Sequence, residues 1–149
     1  MPTEKSLPYE PCPVARSVSL VGDRWSFLIV RDAFDGIRRF GDFQRNLGVA
    51  RNILSDRLQK LVAAGVLEMQ AASDGTAYQE YVLSAKGESL FPVVVAMRQW
   101  GEQHLFTHDE RHSQLIDKQT GKPVTYMTPT AEDGRMLTAA TTQVQKIDV

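Results

Sequence analysis

Apolar positions in the first half of the chain recur at helical spacing, and the period shortens to two only after Gly65. In "GVARNILSDRLQKLVAAGVLE", Leu54, Leu58, Leu61 and Gly65 follow at steps of four, three and four, which predicts a helix with one close-packed apolar face. Its opposite face carries Arg51, Asn52, Ser55, Asp56 and Gln59. Upstream, "CPVARSVSLVG" predicts a short helix, with Pro13 suited to its first position and Gly22 to its stop. Val14, Val18 and Val21 share one side of it. Asp23 suits the cap of the next helix, "RWSFLIVRDAF", which is apolar nearly all round and is expected to be the central, most buried helix. "DGIRR" then reads as a turn and "FGDFQRNLG" as a short helix with Phe43 and Leu47 inward, broken by Gly48.

Beyond Gly65, "VLEMQAA" and "AYQEYVLS" predict two strands around "SDGT", a hairpin with Asp74 and Gly75 at its tip. Ser84 is placed to cap a long helix running to about His104, kinked or interrupted at Pro92. Residues 1–11, with three prolines, read as a flexible N-terminal arm. Residues 106–149 are Thr-rich, with β-prone runs "SQLID", "VTYMT" and "MLTAATTQV" between turn signals. They predict a small β meander packed on the domain, a disordered tail being the alternative. The expected fold is mainly α with a small β wing and a C-terminal β-rich extension, the main domain covering residues 12–105.

A short helix, a tight turn and a second helix with a polar N-terminal outer face form a helix-turn-helix, and a hairpin directly after it makes the motif winged. A helix fits the major groove of DNA, where residues in its first two turns reach base edges. Arg51 can bond bidentately to guanine and Asn52 to adenine, while Ser55 allows close approach and Gln59 lies one turn further along. Arg38, Arg39 and Arg45 flank this helix and suit phosphate contacts. Charge supports the reading only locally. The whole chain carries −1, but residues 12–65 hold nine Lys/Arg against five acids, and residues 66–149 hold seven against eleven. Asp56, on the same face, argues the other way, since a carboxylate repels phosphate unless it pairs with a neighbouring cation.

The linked motifs of residues 12–105 resemble the HxlR-type winged helix-turn-helix regulators. The Cys-Pro start, Gly-Asp-Arg-Trp at residues 22–25, the Arg-Phe before the short helix, "LSDRLQKL" and "YVLSAKGESLFPVVVAMRQWG" carry the likeness. It implies a homodimeric bacterial transcription regulator that binds a double-stranded DNA operator with one recognition helix and one wing per subunit. It also implies that dimerisation uses the first and last helices. Two departures follow from the sequence itself: the wing "AASDGTAYQEY" has no basic residue near its tip, and Ala50 opens the recognition helix where Ser or Thr would cap better. Some relatives carry cysteine pairs in their C-terminal extension, which this chain lacks.

The last helix points to a dimer without that likeness. Leu90, Val94, Met97 and Trp100 make one stripe, widened by Phe91, Val95 and Leu105, and a second copy could cover it; the likeness adds Val14 and Val18 of the first helix to that contact. The alternative cover is the C-terminal tail. Cys12, the single cysteine, falls at a helix N-terminus one turn before Arg16 and is the redox candidate. The likeness strengthens it, since some HxlR-type regulators sense oxidants or electrophiles through a cysteine at this place. An oxidant acting through Cys12 is one effector this leaves open, and a small molecule in a hydrophobic pocket beneath Trp25 and Trp100 is another. The alternative for Cys12 is a small residue tolerated at a helix start.

One cysteine excludes an internal disulfide and a clustered-cysteine zinc site. His104, His108 and His112 have i, i+4, i+8 spacing, but the helix is expected to end near Leu105, so no metal or other cofactor is expected. There is no phosphate-binding glycine loop, paired-carboxylate motif or catalytic triad signature, which argues against an enzyme. No apolar run approaches the ~20 residues of a membrane span, and with no signal-peptide core the expected compartment is the cytoplasm. The other class left open is a winged helix that binds protein instead of DNA.

Overall fold

The computed structural model describes residues 11–147. The predicted N-terminal arm, Pro11 apart, lies outside the described residues. The chain divides into two compact units, Met1–Phe91 and Pro92–Val149.

In the first unit, α1 spans Pro13–Val21, α2 Arg24–Phe34, α3 Phe40–Leu47 and α4 Arg51–Ala63. The first two start at a side-chain cap. Cys12 caps α1, its Sγ accepting from the Ala15 N–H at 3.5 Å, and Asp23 caps α2 by accepting from the Ser26 N–H at 3.1 Å. Ala50 precedes α4 with no side-chain cap, as its sequence position implied. Gly48 ends α3 at φ +63°, a left-handed conformation that glycine adopts without steric cost, and so turns the chain within three residues into α4.

The core is the meeting of these helices. Ile29 and Val30 of α2, Phe43 of α3, Val49 of the turn and Leu54, Leu58 and Leu61 of α4 are all buried. α2 packs against α1, α3, α4 and the second strand, so it is central as expected. It is not buried all round, however. Its inner face is Ser26, Ile29, Val30 and Asp32, while Trp25, Phe27, Leu28 and Phe34 are only half-buried. A single layer of short helices cannot enclose every side of one of its members. Buried Asp32 is paired within the layer, accepting from Arg31 at 2.8 Å and from the Asn46 side chain of α3 at 2.9 Å.

The wing follows directly. β1 (Leu67–Ala71) and β2 (Gln79–Leu83) form an antiparallel pair in the register Leu67↔Leu83, Met69↔Tyr81, Ala71↔Gln79. Both strands are shorter than their sequence runs. The hairpin closes through Ala72, whose N–H donates to the Tyr78 carbonyl at 3.0 Å, with Asp74 and Gly75 at the tip of the loop. The segment entering α3 lies along β2, where the Tyr81 N–H donates to the Arg38 carbonyl at 2.7 Å.

Ser84 caps α5 (Ala85–Glu88), accepting from the Gly87 N–H at 3.0 Å. A Cβ on Gly87 would lie 2.1 Å from the Val66 carbonyl oxygen, so only glycine lets α5 sit against the chain entering β1. The expected long helix is thus two helices: α5 stops, and α6 runs Phe91–His104. Pro92 stands in the first turn of α6, where a missing N–H costs nothing, and the break falls just before it.

The second unit holds most of α6 and the C-terminal extension, a division that differs from the expected boundary at residue 105. The β meander is a correction. Among the described residues of the extension there is no strand, only the isolated bridges Ile116↔Pro123 and Thr130↔Met136 and a 3-10 turn at Ala139–Thr141. Two physical reasons account for it. Pro123 and Pro129 have no N–H to give a ladder. The backbone groups of Thr125 and Met127, moreover, are bonded to the side-chain amide of Gln99 on α6, at 2.9 and 2.8 Å. No described helix is long and apolar enough to cross a membrane.

Candidate nucleic-acid interface

The three-residue turn Gly48–Ala50 fixes how α4 is presented. With Leu54, Leu58 and Leu61 held inside, the 3.6-residue period turns Arg51, Asn52 and Gln59 outward, all exposed, while Ser55 is half-buried on the same side. The Arg51 guanidinium lies 4.8 Å from the ring centroid of Phe40, the first residue of α3. This contact across the turn directs Arg51 along the end of the helix pair without consuming its five N–H donors.

Asp56 no longer opposes a phosphate partner. It is bonded to Arg57 at 2.7 Å and lies 3.3 Å from Lys60, and the Arg57 hydrogen bond leads the effects that hold its carboxyl below the ordinary range. Arg57 also reaches back to Asp23 at 3.1 Å, so it serves the frame of the domain.

Each flanking arginine has an acidic neighbour. Arg45 pairs with Asp42 one turn earlier and remains largely exposed. Arg38 approaches Glu80 at 3.7 Å, and Arg39 approaches the same carboxylate at 4.0 Å while pairing more closely with Asp74. Glu80 is buried in β2 and also accepts from the Ser73 N–H at 3.3 Å. Arg39 lies over the Tyr78 ring, 5.1 Å from its centroid. The wing has no basic residue of its own, yet it receives one: Arg39, 35 positions earlier, docks beside the tip at Asp74. Asp74 is held down to about 2, first by its hydrogen bonds from Thr76 and then by Arg39. Because its folded value is the lower one, the pairing is present above the ordinary carboxylate range and is lost only as pH falls toward 2. It is intact near neutrality.

Together these elements bound a cleft of about 580 Å³ between the starts of α3 and α4 and the wing, lined among others by Arg39, Phe40, Arg45, Arg51, Tyr78 and Tyr81. Arg39, Arg45 and Arg51 thus line one cleft, while Arg38 lines a separate one with Ala33, Gln70 and Val82. Sequence reading missed Phe40, Asp74, Tyr78 and Glu80 as the groups that position the arginines. No sequence signal marked Glu80, whose strand shows no alternation of buried and exposed residues.

Elsewhere, Cys12 is exposed at the start of α1. On the same helix Val14 and Val18 are 70% and 58% exposed. On α6, Met97 and Trp100 are 56% and 54% exposed, Val94 is half-buried and Val95 is buried, while Leu90, just before the helix, is half-buried. His104, His108 and His112 do not share a helix face, because α6 ends at His104. His112 instead lies 3.6 Å from Glu102 and against the Phe106 ring. Among the described residues no group of three metal-ligating side chains converges.

Comparison with known proteins places this geometry. The family profile described as HxlR-like helix-turn-helix matches residues 20–109. The chain is 45% identical over 92 residues to Mb3122 of Mycobacterium bovis, an uncharacterised HTH-type transcriptional regulator, covering 62% of this chain and 58% of that one. The chain therefore spans less than two thirds of that relative's length. PA1607, described as a proposed transcription factor, superposes with a TM-score of 0.89 at 48% identity, over 95% of this chain and 99% of its own. The redox regulator HypR in its reduced form superposes with a TM-score of 0.58 at 27% identity, over 63% of this chain and 94% of its own.

Proposed function

Because the chain belongs to the HxlR-like helix-turn-helix family, a family of transcriptional regulators, we propose that it binds operator DNA sequence-specifically as a homodimer. The observation that carries this reading is the outward set Arg51, Asn52, Ser55 and Gln59 on a helix whose other side is locked into the core. In this reading α4 enters the major groove, Arg51 and Asn52 read base edges, and Ser55 and Gln59 complete the contact. Arg38, Arg39 and Arg45 meet phosphates on either side, each guanidinium keeping donors beyond those its carboxylate neighbour takes. The exposed valines of α1 and the Met97–Trp100 side of α6 suit the subunit contact, which sets two recognition helices against one duplex. Cytoplasmic residence follows from the same role.

Selection of bound duplexes from a random pool tests the proposal. The expected result is an enriched sequence with half-sites about one helical turn apart, bound orders of magnitude more weakly at ~200 mM than at ~50 mM salt. No enrichment, with binding insensitive to salt, would favour a winged helix that contacts protein.

Regulation by an oxidant is part of the proposal. Its support is an exposed thiol capping α1, beside the apolar residues assigned to the dimer contact, together with the likeness to HypR. With no second cysteine in the chain, oxidation would join Cys12 to its counterpart in another subunit or to a small thiol. Diamide treatment should change operator affinity in the wild type and leave Cys12→Ser unaffected. An unchanged wild type would remove Cys12 as a sensor.

A further inference from the structure

The second unit has too little interior for its length. Among its described residues only Val95 and Gln99, both on α6, are buried, and from residue 105 to residue 147 none is. Its path is nonetheless well specified. Arg98 donates to the Ser113 carbonyl and hydroxyl at 3.1 and 2.9 Å, and Gln99 holds Thr125 and Met127. Tight turns close through Asp117 with Lys122 at 2.9 Å and through Ala131 with Arg135 at 2.7 Å. PA1607 follows the present chain over 95% of its length, extension included, at 48% identity. Fixing each backbone residue costs about 1–2 kcal/mol, and a few turn hydrogen bonds do not offset that over forty-odd residues.

The apolar groups that could offset it are present but face outward. Ile116, Tyr126, Met136 and Val144 of the extension are exposed, Met136 at 75% and Val144 at 81%, as are Met97 and Trp100 of α6. With aromatic side chains presenting ~150–250 Å² when fully open and aliphatic ones somewhat less, the twelve exposed large apolar residues described in this unit, 39% to 81% exposed, sum to roughly 1,000 Å². That is of the order of the ~800 Å² each partner buries in a standard interface.

We propose that the extension, residues 106–147, is an arm that packs on a second copy of this chain. The inference rests on the dimer reading above and adds to it that the arm, and not the helices alone, holds the subunits together. Charge decides against nucleic acid as the occupant: residues 106–149 carry five Lys/Arg against six Asp/Glu. A second copy fits because the arm springs from the end of α6, the helix whose exposed apolar side is assigned to the dimer, and α6 itself fixes the arm's path through Arg98 and Gln99.

Sedimentation of the full chain and of its M136D/V144D variant tests this. Both positions are exposed, so the variant should keep the far-ultraviolet circular dichroism of the wild type, while its dimer dissociation constant rises at least tenfold. A dimer whose dissociation constant is unmoved overturns the arm and leaves the dimer standing. A wild-type chain that is monomeric at every concentration overturns both. Lysine cross-linking of a mixture of ¹⁵N-labelled and unlabelled chains gives an independent readout. Cross-links from Lys118, Lys122 or Lys146 that join the two isotopes are the expected result, and same-isotope links alone overturn the arm.

Discussion

Replacing Arg51 with alanine should lower affinity for the operator by about 1–3 kcal/mol, roughly 5- to 150-fold, the range of one good bidentate contact to a base edge. The effect is specific in kind. Binding to unrelated duplex should change little, because it depends on the phosphate contacts assigned to Arg38, Arg39 and Arg45. The fold should be unaffected, since the Arg51 side chain is exposed and its described contact is the one with the Phe40 ring. Titration of wild type and variant on operator and scrambled duplexes separates the two quantities. A variant that loses equally on both would mean that Arg51 serves as one more phosphate contact.

Phe43→Ala should cost about 3–5 kcal/mol of stability, the usual loss when a fully buried aromatic ring is removed and its cavity only partly collapses. Phe43 is wholly inaccessible and is the buried residue of α3, so nothing else on that helix replaces its contribution. Set against a typical total of about 5–15 kcal/mol, this is a large share of the stability. Urea denaturation followed by circular dichroism measures it. A loss below about 1 kcal/mol would mean that α3 is not anchored by this ring, and the angle at which α4 is presented would then lack its support. The contrast with Arg51 is the useful part: one substitution should remove stability and the other recognition.

The first four helices were legible because local signals and spacing mark them. Pro13, Asp23 and Gly48 act within a few residues of themselves, and the leucine spacing of α4 belongs to one helix. The wing was legible in place but not in length, since its closing bond between Ala72 and Tyr78 depends on the loop and not on alternation. The extension was misread. Its β-prone residues would suit strands, but the backbone of Thr125 and Met127 is claimed by the Gln99 side chain, a tertiary contact that propensity does not register.

The candidate interface divides in the same way. The outward residues of α4 follow from periodicity alone. The partners of its flanking arginines do not, because Arg39 meets Asp74 and Arg57 meets Asp23 across 35 and 34 positions of chain. Asp56 shows the consequence. In sequence it opposes a phosphate, whereas in the fold its charge is taken up by Arg57 and Lys60.

The most direct measurement is a base-by-base affinity scan, in which wild type and Arg51→Ala are each titrated against every single-base variant of the selected operator. The account predicts that the wild type loses 1–3 kcal/mol, roughly, at one guanine per half-site, and that the variant no longer distinguishes the four bases there while keeping its preferences elsewhere. If Arg51→Ala retains the wild-type preference at every position, Arg51 reads no base, and the placement of α4 in the groove is contradicted.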